Sequence, residues 1–139
     1  MPAKTKKVKR FIIDANTYIT LFINGEAYWF QDYVMRNNLE IFTDIHLMDE
    51  LANVLDYPKI KSLLPLNKKA FYLAFVHSIS THIESKNFHI KSPDPDDNYL
   101  YNLALTANAK LLFTGEKALL QWIDTPVETI SLSIFKKLF

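Results

Sequence analysis

With 139 residues, 49% of them hydrophobic and 22% charged, the chain has the size and apolar content of one globular domain, which excludes a mainly disordered or fibrous polymer. Sixteen Lys and Arg against fifteen Asp and Glu leave a formal charge of +1, so no global field recruits nucleic acid or an anionic membrane, and such contacts need a local patch. Two glycines, Gly25 and Gly115, are too few for a P-loop or a dinucleotide fingerprint; the lack of cysteine removes thiol catalysis, disulfides and thiolate zinc sites and fits a reducing, cytoplasmic setting.

Residues 1–9 are basic and read as a loosely ordered lead-in, and the apolar run after them is cut short by Asp14, so it is neither a signal peptide nor a membrane span. That run, Phe11–Ile13, reads as a buried strand. Helical patterns follow over Thr17–Ile23 and Ala27–Asn37, then a second strand over Leu39–Phe42. The spacing predicts further helices over Ile45–Asp56, Asn67–Glu84 and Asp96–Ala109, a strand over Lys110–Phe113, a short helix over Lys117–Trp122 and a strand over Val127–Ile130. Strands alternating with helices predict an α/β protein: a three-layer α/β/α sandwich with a central, mainly parallel sheet of four or five strands, in one domain spanning 1–139.

In an open parallel sheet the binding crevice lies outside the carboxyl ends of the strands. Asp14, Ala15 and Asn16 follow the first strand, Thr43 and Asp44 the second, and Thr114, Gly115 and Glu116 the third. Asp14 places a charge at that edge, where it needs a partner or a metal. It also fits the N-cap of the helix near Thr17, although Asn16 is the better placed cap of the two. Glu50 falls on the border of the stripe formed by Leu47, Met48, Leu51, Val54 and Leu55, where it can look into a cleft or simply be solvated, while Asp49 points further away. Asp97 lies in line with Leu100, Tyr101, Ala104 and Ala107 on an apolar face, with Asp94 available as the cap. Glu116 either completes a set of four carboxylates or starts the short helix at its favourable end.

Oxygen donors without cysteine select a hard cation, Mg²⁺ or Mn²⁺, and the chemistry of such a set is phosphoryl transfer. His46, His77, His82 and His89 form no zinc-like array, and the five-residue separation of His77 and His82 does not bring them onto one ligand. Tyr28, Trp29, Phe30 and Tyr33 read as packing or a subunit interface. Lys59, Lys61, Lys68 and Lys69 read as solvated surface or as phosphate contacts.

Phe11–Asn16 resembles the opening strand and first acid of PIN-domain nucleases, the PilT N-terminal-like group. Met48–Lys59 resembles their second acidic segment, and Asp94–Asn98 with Leu103–Leu105 and Leu111–Lys117 resembles their third and fourth. The likeness spans nearly the whole chain and is nearest to toxin components of bacterial toxin–antitoxin pairs. It implies an endoribonuclease dependent on Mg²⁺ or Mn²⁺ that cleaves single-stranded RNA, with a cognate antitoxin protein as partner, and it leaves room for a homodimer through the aromatic stretch Ala27–Tyr33. By the same resemblance Asp14, Glu50 and Asp97 fall on the metal-binding acids, Asn16 and Thr114 on the supporting polar positions, and Glu116 on a fourth acid.

Two departures accompany the likeness. Where the family usually reads Thr-Gly-Asp-Lys-Asp-Leu-Leu, this chain has Glu116 for the first Asp and Ala118 for the second. They keep open a second reading, a catalytically impaired domain that binds RNA or a protein partner. A third, a phosphatase of the haloacid-dehalogenase type with Asp14 as nucleophile, shares only the strand ending in Asp and wants a second Asp where Asn16 stands.

Overall fold

A computed structural model of the chain describes residues 9–138. The apolar run at the start forms strand β1 (Lys9–Ile13), in which Phe11, Ile12 and Ile13 are all buried, as a strand covered on both faces requires. With β2 (Leu39–Thr43), β3 (Ser80–His82), β4 (Leu111–Phe113) and β5 (Glu128–Ile130) it makes a five-stranded sheet of order β3-β2-β1-β4-β5, parallel throughout. Register places Phe11 beside Ile41 and Leu111, and Ile12 beside Phe42 and Leu112. The chain leaves β1 toward one edge of the sheet and leaves β4 toward the other, so the topological switch point lies between these two strands.

The helices are α1 (Ala15–Ile23), α2 (Ala27–Arg36), α3 (Ile45–Leu55), α4 (Pro58–Leu63), α5 (Lys69–Ile79), α6 (Asn98–Ala107), α7 (Lys117–Leu120) and α8 (Leu132–Leu138), with a 3₁₀ turn at Pro95–Asp97 before α6. On the sheet face that carries Phe11 and Phe113, whose rings stack at 5.2 Å, Phe135 of α8 meets Phe113 at 4.6 Å and Phe30 of α2 at 6.2 Å. On the opposite face the Arg10 guanidinium donates to the Ala107 carbonyl at the end of α6 (3.0 Å). Phe22 of α1 packs on Tyr72 and Phe75 of α5, at 4.6 and 5.7 Å.

Residues 83–94 run along α6 without regular structure of their own, yet their backbone is held. Lys86 N–H donates to Thr106 Oγ1, Phe88 N–H to Asn102 Oδ1 and Ser92 N–H to Asn98 Oδ1, each at 2.9 Å. The acceptors are four residues apart, so they stand on one face of α6 and replace the partner strand this segment lacks.

The four expected strands are all present. The expected helix Asn67–Glu84 ends at Ile79, and Ser80–His82 forms the fifth strand at the sheet edge. Its end is set by hydroxyls: Ser78 Oγ donates to the Phe75 carbonyl and Ser80 Oγ to the Val76 carbonyl, satisfying carbonyls that would otherwise continue the helix. Lys9 belongs to β1, while residues 1–8 of the basic lead-in lie outside the described residues. Helices α4 and α8 were not expected; both are too short for apolar periodicity to reveal them.

Phe135 tests how far α8 belongs to the core. Phe135→Ala removes a fully buried ring and is expected to lower unfolding free energy by about 3–5 kcal/mol in urea denaturation. A loss below about 1 kcal/mol, the scale of an ordinary surface substitution, would show that α8 is not docked in this way.

Candidate functional site

Two of the acids that follow strands, Asp14 and Glu116, line a cleft at the switch point, whereas Asp44 lines the cavity beside it. Asp14 leaves the end of β1 and is 5% exposed. Its Oδ1 accepts the Thr17 N–H (2.7 Å) and its Oδ2 accepts the Thr114 hydroxyl beyond β4 (2.5 Å). Thr114 in turn accepts the Glu116 N–H (3.2 Å), so one buried hydroxyl links two of the acids. Asp14 is therefore the N-cap of α1 as well as a wall of the cleft. Asn16, expected as the better cap, lies inside α1 because the helix begins at Ala15, and its exposed side chain lines the cleft instead.

The cleft has a volume of about 550 Å³ and gathers Asp14, Asn16, Glu50, Asp97 and Glu116. Helix α3 presents Glu50 together with His46, Asp49 and Asn53, so Asp49, expected to turn away, faces the cleft too. Asp94 caps the 3₁₀ turn through the Asp96 N–H (3.0 Å), which leaves Asp97 without a capping hydrogen bond. Glu116 likewise stands at the start of α7 with no side-chain capping bond. Asp97 Oδ2 is buried and has no hydrogen-bond partner. Two rings also line the cleft, 6.2 Å apart: His46, which the sequence reading weighed only as a zinc ligand, and Tyr99, which it did not single out. Their only signal was position, His46 one turn before Glu50 and Tyr99 two residues after Asp97.

Among the described residues no Lys or Arg lines this cleft, although Asp14, Asp49, Glu50, Asp94, Asp96, Asp97 and Glu116 do. Two of these carboxyls, Asp97 and Asp14, resist ionisation. Burial, followed by the facing Glu116 carboxyl and by Asp94 and Asp96, pushes Asp97 up to about 7. Burial also raises Asp14 against the hydrogen bonds from Thr114 and Thr17, with Asp97 adding to the rise. The Tyr99 phenol is pushed up by burial and then by the charges of Glu50, Asp14, Asp97 and Asp44.

Oxygen donors, an unpartnered buried carboxylate oxygen and no protein countercharge fit a hard divalent cation. Asp14, Glu50, Asp97 and Glu116 are the residues that would hold it. Among the described residues no three acids or histidines are already drawn together into a metal-binding group, so side-chain rotation would have to complete the set.

The sign of the pH effect on the metal-free protein follows. A carboxyl whose folded-state pKa is raised binds its proton more tightly folded than unfolded, so its contribution to stability is full below about 4 and is lost as pH rises through about 7. Asp97→Asn is expected to flatten the dependence of Tm on pH between 4 and 8 and to raise the metal-free Tm at pH 8 by several degrees. Equal slopes in the two proteins would show that Asp97 is not the titrating group.

Residues 10–118 match the family model of the PIN domain. Among solved structures, VapBC2 from Rickettsia felis, bound to a DNA fragment from its promoter, superposes with a TM-score of 0.58 at 14% identity, covering 88% of this chain and 98% of that one. PAE2754 from Pyrobaculum aerophilum superposes with a TM-score of 0.56 at 16% identity, covering 93% and 95%. At these identities the likeness is one of fold. No curated protein matches the chain significantly. The matched stretch contains Asp14, Glu50, Asp97 and Glu116, which line one cleft at the carboxyl end of the parallel sheet: the chain belongs to the PIN domain family.

Proposed function

We propose that residues 1–139 act as one PIN domain that cleaves single-stranded RNA with Mg²⁺ or Mn²⁺, as the toxin of a toxin–antitoxin pair. The observation that carries the reading is that Asp14, Glu50, Asp97 and Glu116, from four separate elements, line one cleft that has no Lys or Arg among the described residues. When bound, a divalent ion polarises the scissile phosphate, supplies a nucleophile from water and offsets charge on the leaving oxygen. The chain's own part is to prepare that place. Thr114 and Thr17 hold both Asp14 oxygens in fixed directions, and Asp97 keeps one oxygen unpaired for the cleft.

Of the two departures from the family pattern, Glu116 lines the cleft and retains its charge, whereas Ala118 is exposed on α7 and does not line it. This supports an active enzyme over an impaired one. A nucleophilic role for Asp14 fits poorly, because Asn16 stands where the haloacid-dehalogenase type wants a second Asp. The partner that suits such a cleft is an antitoxin segment bringing a basic side chain to the carboxylates. Tyr28 and Met35 of α2, 71% and 75% exposed, supply an apolar surface that suits a second copy or that antitoxin. No helix among the described residues is long and apolar enough to cross a membrane.

Cleavage of labelled single-stranded RNA by the purified chain with Mn²⁺ tests the reading. EDTA is expected to abolish cutting, and Asp97→Asn to lower the rate by at least about 100-fold, as loss of an essential charge at the reacting centre does. Undiminished cleavage by Asp97→Asn would overturn the assignment. A wild-type chain that binds Mn²⁺ without cutting any RNA would favour the impaired domain.

A further inference from the structure

A second cavity, of about 170 Å³, opens beside the acidic cleft. The two share a wall, since His46 and Tyr99 line both. The remaining lining includes Asp44, Ser85, Lys86, Asn87 and Asn102. Its volume lies below the roughly 300–1,000 Å³ of pockets that enclose drug-sized ligands and suits a single planar ring system.

The polar groups there are oriented from behind and open in front. Asn102 Oδ1 accepts the Phe88 N–H (2.9 Å), which fixes the amide so that its NH₂ faces elsewhere with no protein acceptor. Asn87 Oδ1 accepts the His89 N–H (2.8 Å) with the same consequence for its own NH₂. The Lys86 backbone is tied to Thr106, while its ammonium makes no ion pair among the described residues. Asp44 is buried, accepts the Leu47 N–H (2.9 Å) and the Ser85 hydroxyl (2.6 Å), and retains lone pairs for a further donor. Amide and ammonium donors, a carboxylate acceptor and two aromatic rings are what an unstacked base uses for edge hydrogen bonds and stacking.

We propose that the second cavity is a nucleobase subsite, receiving the base next to the scissile phosphate of a single-stranded RNA. His46 and Tyr99, on the wall shared with the cleft, offer the base a stacking surface on one side, and Asn102, Asn87 and Lys86 donate to its edge. The placement of the phosphate rests on the nuclease reading above; the base pocket itself rests on the geometry of Asn102, Asn87 and the shared rings. Its consequence is a base preference at the cut.

Two measurements separate the subsite from the nuclease reading. In the first, the four ribonucleosides are titrated into metal-free protein and followed by NMR of the Asn side-chain NH₂ groups and Tyr99. At least one nucleoside is expected to shift these signals saturably. Asn102→Asp, which keeps the acceptor for Phe88 N–H but lacks the NH₂, is expected to weaken that binding at least fivefold, and Lys86→Met to weaken it as well. No saturable shift, or equal binding by both variants and wild type, would overturn the subsite. In the second, cut sites are mapped on random-sequence single-stranded RNA with Mn²⁺. Wild type is expected to favour one base at the cut and Asn102→Asp to reduce that preference at least fivefold; an unchanged preference would overturn the proposal. Nucleoside binding without any RNA cutting would support the base pocket and overturn the nuclease reading, whereas cutting without nucleoside binding would do the reverse.

Discussion

The buried Asp14 carboxylate, held between Thr17 and Thr114, is the constraint on which the rest of the molecule depends. A carboxylate at 5% exposure is costly unless its oxygens are satisfied, and hydrogen bonds to a charged group contribute about 1.5–3 kcal/mol each. Meeting that requirement fixes three elements at once. The Thr17 N–H sets where α1 starts, the Thr114 hydroxyl ties the end of β4 to the end of β1, and the Asp14 N–H donates to the Phe113 carbonyl (3.0 Å) between those strands. The switch point of the sheet is thereby closed around a negative charge, and the cleft in front of it inherits that charge.

The acids around the cleft divide by what their oxygens do. Asp14, Asp44 and Asp94 cap the first turns that follow them, so each contributes to the fold. Glu50, Asp97 and Glu116 line the cleft without such a capping bond. Burial, and after it the contact with Glu116, displaces the ionisation of Asp97 to about 7, and one of its oxygens is unpaired among the described residues. Such an arrangement supports the cation site proposed above, because a cation would supply the countercharge that the lining residues lack.

Most of the sheet was legible because Phe11–Ile13, Leu39–Phe42 and Leu111–Phe113 are short apolar runs bounded by polar residues, the signature of strands buried on both faces. β3 was not, because Ser80–His82 is a polar edge strand attached to an apolar helix, and only the serine hydroxyls mark the change. The site acids were visible as strand-end and apolar-face carboxylates. The role of Asp14 as a cap was hidden by Asn16, since a cap is defined by where the helix begins and the first turn Ala15–Thr17 has no periodicity of its own. His46 was weighed only for zinc spacing, and Tyr99 reads as packing beside an apolar stripe until the opposing helix is in place. The pinning of residues 83–94 by Asn98, Asn102 and Thr106 depends on a contact between α6 and a distant loop that local pattern does not contain.

The proposed divalent cation on Asp97 and Asp14 at the β1/β4 switch point is tested most directly by anomalous diffraction from crystals soaked in Mn²⁺. A peak bound by Asp97 and at least one of Asp14, Glu50 and Glu116, and missing from Asp97→Asn crystals, is the expected result. Mn²⁺ found only at surface carboxylates, with the cleft acids keeping the separations they have in the metal-free chain, would contradict it.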